Sequence, residues 1–238
     1  MKYSVLVPLG YSATWLSREL ISNAYSVEPV NDRQVDLGSV EANMGAYWLL
    51  EREILVLPTS PRFVDEGNVQ RWAGDHLDHA RKIVGLGWCG SYNKNTVGEI
   101  IVPDEVALSP RVKSERPVTG NGRAHVGLRA DLIRAITEKG FSLLEGTACT
   151  YLDTVEPRVL DMMFADMEAG ILIRYGNNKG IHTAVAFIVS DDPLQPLPEG
   201  QPHEWVANPF FDSITSSPLK ESFEESLDSA LGVLRRVD

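Results

Sequence analysis

Residues 183–189 read TAVAFIV, an unbroken run with no charged residue. A continuous β-branched, apolar run suits a strand covered on both faces, because a strand with one wet face would alternate apolar and polar. Working outward, further strand-like runs occur at Val5 to Val7, Ile54 to Leu57, Lys82 to Leu86, Gly98 to Val102 and Phe141 to Leu144. Helical patterns lie between them. Asn68 to Ala80 precedes the Lys82 strand, Leu128 to Lys139 stops at Gly140, and Glu168 to Asn178 stops at Lys179-Gly180. Pro218 to Val237 carries Leu219, Phe223, Leu227, Leu231 and Leu234, one apolar stripe suited to core packing. Strands alternating with helices predict an α/β fold around a largely covered sheet. Two loops are expected, at 109–123 and in the Pro/Gly-rich stretch 192–209, the latter with the length of a lid or binding loop. One domain is expected over residues 1–238.

The chain has 238 residues, with 22 Lys+Arg against 33 Asp+Glu, a formal charge of −11. That sign repels phosphate backbones and anionic lipid headgroups, so neither nucleic acid nor a membrane surface is an expected partner. A 43% apolar content excludes a disordered chain, and a chain this long needs no metal or disulfide to fold. The two cysteines, Cys89 and Cys149, read as reduced thiols of a cytoplasmic protein; a catalytic cysteine is the sharper alternative, but no His or Asn motif accompanies either. No apolar stretch approaches a membrane span. The short apolar run at Tyr3 to Leu9 contains Pro8 and reads as a first strand rather than a signal peptide.

Most catalytic patterns are absent: no phosphate-cradling loop ending in Gly-Lys-Ser/Thr, no G-x-S-x-G and no H-E-x-x-H. His76 and His79 are three apart in the expected Asn68 to Ala80 helix, but without a third ligand they read as surface or capping residues, and no metal is expected. Gly85, Gly87 and Gly90 have G-x-G-x-x-G spacing. The residues that follow lead into another strand rather than a long helix, so the dinucleotide-loop reading loses its context.

Three segments taken in order are more specific: IVGLGWCGSYNKNTVGEIIVPDEV (83–106), GTACTYLDTV (146–155) and ADMEAGILIRYGNNKGIHTAVAFIVSDDP (165–193). Together they resemble the nucleoside phosphorylase family that includes methylthioadenosine/S-adenosylhomocysteine nucleosidase. That family has a strand, a glycine-rich turn and a V-G-[DE]-[IV]-[IV] strand, then a Met-Glu pair opening a helix, then a strand ending in Ser-Asp. The resemblance is good over residues 80–192 and loose in the flanks. It implies a single-domain, three-layer α/β/α architecture with a mixed, twisted central sheet of the phosphorylase/hydrolase type. It also implies cleavage of the N-glycosidic bond between ribose and a nucleobase, by phosphate in the phosphorylases and by water in the nucleosidases. A homo-oligomer, dimer or hexamer, is implied as well. No cofactor is expected, with phosphate entering only as a co-substrate.

The chemistry suits the residues. Breaking a C–N glycosidic bond builds positive charge on the sugar and negative charge on the departing base, which calls for a carboxylate at one and a proton donor at the other. The resemblance assigns Glu168 to the ribose hydroxyls and Asp191 to general-acid duty at the purine N7, with Ser190 orienting it. Met167 would pack under the sugar and Tyr151 would stack on the base, while Gly10, Gly87, Cys89 and Gly90 would line the site. Blander readings stand beside these. Glu168 suits a helix N-terminus by charge alone, SDDP suits a turn, Tyr151 suits a core, and Asp192 rivals Asp191 if the register slips by one. The Asp leans toward a purine base.

The departures concern the nucleophile. Phosphorylases of this family commonly carry an Arg two residues before the glycine-rich turn and a Gly-Asp-Pro-x-Arg loop after the first strand. Here Gly85 takes the first place, and the loop reads PLGYSATW (8–15). Loss of two guanidinium forks removes most of what would bind a phosphate dianion. The water-activating Glu of the nucleosidases is replaced by Ser12, with Glu19 a turn or more away. Hydrolysis of a purine-type nucleoside is the favoured expectation. A phosphorylase using other ligands, such as Arg18 or Arg62, and a non-catalytic nucleoside-binding protein are the alternatives.

Overall fold

The computed structural model describes residues 2–30, 45–49, 53–59, 66–73, 75–91, 96–108, 122–144, 148–150, 164–166, 168–191 and 218–236. Their strands are β1 (Tyr3–Leu9), β2 (Val27–Pro29), β3 (Tyr47–Leu49), β4 (Ile54–Val56), β5 (Ala80–Ser91), β6 (Ile100–Ile101), β7 (Val106–Leu108), β8 (Leu143–Leu144), β9 (Ala148–Thr150), β10 (Phe164–Asp166) and β11 (His182–Asp191). Their helices are α1 (Tyr11–Ala24), α2 (Glu66–Ala73), α3 (Val126–Thr137), α4 (Ala169–Lys179) and α5 (Leu219–Arg235). All these strands join one mixed sheet in the order β2-β3-β4-β1-β5-β10-β9-β7, with a branch from β5 through β11 and β6 to β8.

The run TAVAFIV is the middle of β11, which lies parallel to β5 from His182 opposite Lys82 to Asp191 opposite Gly90. Its residues divide between two cores. Val185, Phe187 and Val189 face a layer that includes Val69 and Ala73 of α2 and Ile171, Leu172 and Tyr175 of α4. Ala184, Ala186 and Ile188 face α1, α3 and α5. The expected three-layer α/β/α arrangement is therefore present, and both faces of the central strands are covered. The stripe expected on α5 is buried along its whole length, and Phe223 stacks on Trp88 with ring centroids 4.9 Å apart. Burying one such side chain contributes roughly 1.5–3 kcal/mol.

Helix α5 ends where the sheet begins. Its last carbonyls lack intrahelical donors, and two strand residues supply them: Ser4 Oγ donates to Leu234 O at 2.8 Å, and the buried Lys82 Nζ donates to Arg236 O at 3.0 Å. Helix α4 stops as its sequence predicts, with Gly180 at φ 68°.

Three expectations are corrected. The helix expected over Asn68 to Ala80 ends at Ala73, and a series of turns follows, with His76 N–H bonded to Ala73 O and Ala80 N–H to Leu77 O. His76 and His79 thus lie on turns at the start of β5 rather than on one helical face. Among the described residues no group of three or more His, Cys, Asp or Glu could hold a metal ion. Gly87 and Gly90, expected in a glycine-rich turn after the Lys82 strand, are inside β5, which continues to Ser91. Finally, α1 has no counterpart in the pattern of expected elements. The 192–209 loop and most of the 109–123 loop lie outside the described residues. No described helix is long and apolar enough to cross a membrane.

Candidate active site

Strands β4, β1, β5 and β11 are mutually parallel neighbours in that order, so their carboxyl ends share one rim of the sheet. In open α/β sheets ligands bind outside that rim. The described candidates Gly10, Gly87, Cys89, Gly90, Ser190 and the backbone of Asp191 lie at or near that rim.

Gly90 is the junction of the rim. On one side it is paired with Asp191 of β11, in parallel. On the other it is paired with Ala165 of β10, antiparallel. Neighbouring strands are about 4.8 Å apart, so Asp191 and Ala165 stand roughly 10 Å from each other across Gly90. Glu168 follows Ala165 by three residues and opens α4. The register also shifts between Val189 and Asp191, where the extra residue Ser190 forms a bulge that alters the direction of the strand end. Ser190 Oγ donates to Cys89 O at 3.3 Å, which ties the bulge to β5. Cys89 offers that carbonyl while its side chain is buried as a free thiol in the apolar core.

Glu168 occupies the N-cap position of α4 at φ −133°, ψ −32°, yet its side chain makes no capping hydrogen bond. Capping falls to Asp166, only 4% exposed. One Asp166 carboxylate oxygen, Oδ2, accepts from Glu168 N–H at 3.0 Å and from Ala169 N–H at 2.6 Å. The other accepts from the Thr150 hydroxyl. Sequence reading passed over Asp166 and Thr150. The signal was present: an Asp just ahead of a helical pattern is a start signal with a mechanism.

The first strand ends in a second fixed turn. Gly10 adopts φ 84° and is the N-cap of α1. Its N–H donates to Thr59 Oγ1 at 2.8 Å, and the Thr59 hydroxyl donates to Pro8 O at 2.8 Å. Thr14 Oγ1 donates to Thr59 O at 3.2 Å, so α1 and the end of β4 are held together behind the rim. Gly87 is where β5 passes closest to β1: a Cβ there would lie 2.8 Å from Leu9 Cβ and 3.0 Å from Leu9 O. At Gly85 a Cβ would lie 2.8 Å from Val185 Cγ1, 3.1 Å from Leu9 Cδ1 and 3.5 Å from Leu172 Cδ2. The position where phosphorylases resembling this chain carry an Arg is thus enclosed by aliphatic groups on three sides. Ser12 lies on the first turn of α1, and Arg18 is exposed further along it, where its charge acts on the Tyr47 hydroxyl.

Tyr151, Met167, Asp192 and Arg62 lie outside the described residues, as does the side chain of Asp191. The rim therefore brings together the backbone of Asp191 with Ser190, Gly90, Cys89, Gly87 and Gly10, while Glu168 opens α4 just after β10, which runs antiparallel to β5 beside them.

No protein-family model matches the chain, and no curated protein sequence matches it. Solved structures do match in three dimensions. A 5′-methylthioadenosine/S-adenosylhomocysteine nucleosidase from Helicobacter pylori superposes with a TM-score of 0.68 at 14% identity, covering 100% of both chains. A purine nucleoside phosphorylase from Toxoplasma gondii gives 0.67 at 16% identity, covering 98% of this chain and 90% of that one. A futalosine hydrolase from Helicobacter pylori gives 0.66 at 13% identity, covering 100% of both. These likenesses show that this chain has the fold of the nucleoside phosphorylases and nucleosidases.

Proposed function

We propose that this protein cleaves the N-glycosidic bond of a purine-type nucleoside with water as the nucleophile. The observation that carries this reading is the pairing of Gly90 with both β10 and β11. It sets Ala165, three residues before Glu168, about two strand spacings from Asp191, a span close to that of a nucleoside's ribose and base, which supports the reading.

The roles follow from the charge that develops. As the C–N bond breaks, its electron pair leaves with the base. Asp191 donates a proton to the purine N7 and stabilises that departure. Glu168, ionised, accepts hydrogen bonds from the ribose hydroxyls and lowers the energy of the oxocarbenium-like sugar. Water attacks C1′ and releases its proton to solvent, from which Asp191 regains the proton it gave the base, so the products are free base and ribose. The enclosed Gly85 favours water over phosphate. A guanidinium fork cannot be seated where a single Cβ already meets Val185 and Leu9.

The protein needs no cofactor in this reading and works as a cytoplasmic homo-oligomer. The three solved relatives named above act, by their names, on nucleosides or futalosine, which agrees with the substrate class. The test is incubation with inosine, adenosine, guanosine, uridine and methylthioadenosine, with and without phosphate. Base release that is unchanged when phosphate is omitted is the expected result. Release that requires phosphate overturns the hydrolytic reading, and tight nucleoside binding without release replaces the enzyme with a binding protein.

A further inference from the structure

We propose that Asp166, braced by Thr150, is a positioning residue that sets where the Glu168 carboxylate projects; this inference rests on the reading that Glu168 grips the ribose. The first N–H groups of an α-helix have no intrahelical acceptor. At α4 three consecutive ones, from Glu168, Ala169 and Gly170, are satisfied by only two side chains. Asp166 Oδ2 takes the first two, at 3.0 and 2.6 Å. Thr150 Oγ1 takes the third at 2.6 Å and gives its own proton to Asp166 Oδ1. The pair are register partners in the parallel β9–β10 ladder, and both are buried. Gly170 makes the approach possible, since a Cβ there would lie 2.8 Å from Thr150 Oγ1 and 2.7 Å from Leu108 Cδ2.

This arrangement relieves Glu168 of the task its position would otherwise give it. A carboxylate at a helix start is drawn to bare N–H groups and to the positive end of the helix. With those donors already bound to Asp166 and Thr150, the helix offers Glu168 no reason to fold back. Removing Asp166 uncovers two donors beside the Glu168 carboxylate, which then turns inward as a cap and leaves the ribose. A displacement of about 1 Å in such a group costs on the order of 10²-fold in rate.

The test measures kcat/KM for a nucleoside cleaved by the wild type, with Asp166→Ala, Asp166→Asn and Thr150→Val each made in the wild-type and Glu168→Ala backgrounds. Folding of every variant is checked by circular dichroism at the assay temperature. Asp166→Ala is expected to lower kcat/KM about 10²-fold when Glu168 is present. In the Glu168→Ala background it is expected to change kcat/KM by less than about threefold, because no carboxylate remains to be misplaced. Asp166→Asn keeps an oxygen acceptor for both N–H groups and is expected to recover most of the loss. Equal losses in the two backgrounds, or no loss in either, overturn the proposal. Should Asp166→Ala not fold, Thr150→Val carries the test, with a loss of about tenfold that again requires Glu168. Base release absent from the wild type overturns the nucleosidase reading and this inference together, whereas an active wild type with additive variants sinks the inference alone.

Discussion

A Cβ on Gly85 would stand 2.8 Å from Val185 Cγ1, closer than side-chain carbons approach in folded proteins. Leu9 and Leu172 close the remaining directions. Gly85→Ala should therefore cost about 1–3 kcal/mol of stability, as overpacking does in tight cores. Gly85→Arg should unfold the protein or lower its melting temperature sharply rather than create a phosphate site. Denaturant titration measures the first effect. A well-folded Arg variant whose base release became phosphate-dependent would contradict the explanation given for Gly85.

Asp191→Asn should lower kcat by about 10²–10⁴-fold and change KM little, because general acid catalysis is made only in the transition state. Steady-state kinetics with the best nucleoside of the panel decides this. An Asn variant with wild-type turnover would remove the proton from Asp191, and Asp192→Asn would then be the comparison to make.

Glu168→Gln keeps the shape of the side chain and removes its charge. It should lower kcat/KM by about 10²–10³-fold for a ribonucleoside, the range associated with losing one electrostatic contact to the transition state. The loss should shrink when the ribose hydroxyls are absent from the substrate. An unchanged ratio between ribo- and dideoxynucleosides would place Glu168 away from the sugar.

Stability should fall at high pH, for a reason located at two tyrosines. Burial pushes the Tyr47 hydroxyl far above its ordinary value of 10.0, with Arg18 opposing incompletely. Burial also raises Tyr3, helped by the nearby Asp78 charge. Both hydroxyls are held neutral in the folded state, so this contribution is fully present below about pH 10. It is lost as the pH rises further, where the unfolded chain releases protons that the folded one keeps. Tyr47 O–H has no hydrogen-bond partner among the described residues. Tyr47→Phe should thus be neutral or stabilising by up to about 1 kcal/mol near pH 7, and should flatten the alkaline fall. Melting curves from pH 7 to 11 test both statements.

Phe223 is fully buried on α5 and stacked on Trp88. Phe223→Ala should cost about 3–5 kcal/mol, read from chemical denaturation.

The legibility of this chain followed where burial is two-sided. TAVAFIV predicted a central strand because every residue in it is apolar or β-branched, and the α5 stripe predicted a packed helix because its spacing repeats through four turns. Glu168 and Gly180 marked the two ends of α4 in the same way. What escaped was set by partners distant in sequence. Gly87 and Gly90 suggest a turn in isolation, yet both are inside β5, where Leu9 passes close to Gly87. Helix α1 has Trp15 and Leu16 near Ser12, Thr14 and Arg18, a pattern too mixed to declare itself. Asp166 looks like one more acid until β9 brings Thr150 beside it, a pairing that no local pattern contains.

The forked rim at Gly90 has an evolutionary corollary. Because a single residue pairs with both branches, the spacing between Ala165 and Asp191 is set by backbone ladders, not by any surrounding loop. Sequence drift in the surrounding loops then leaves that spacing untouched, as a lock keeps its bolt when its wards are recut.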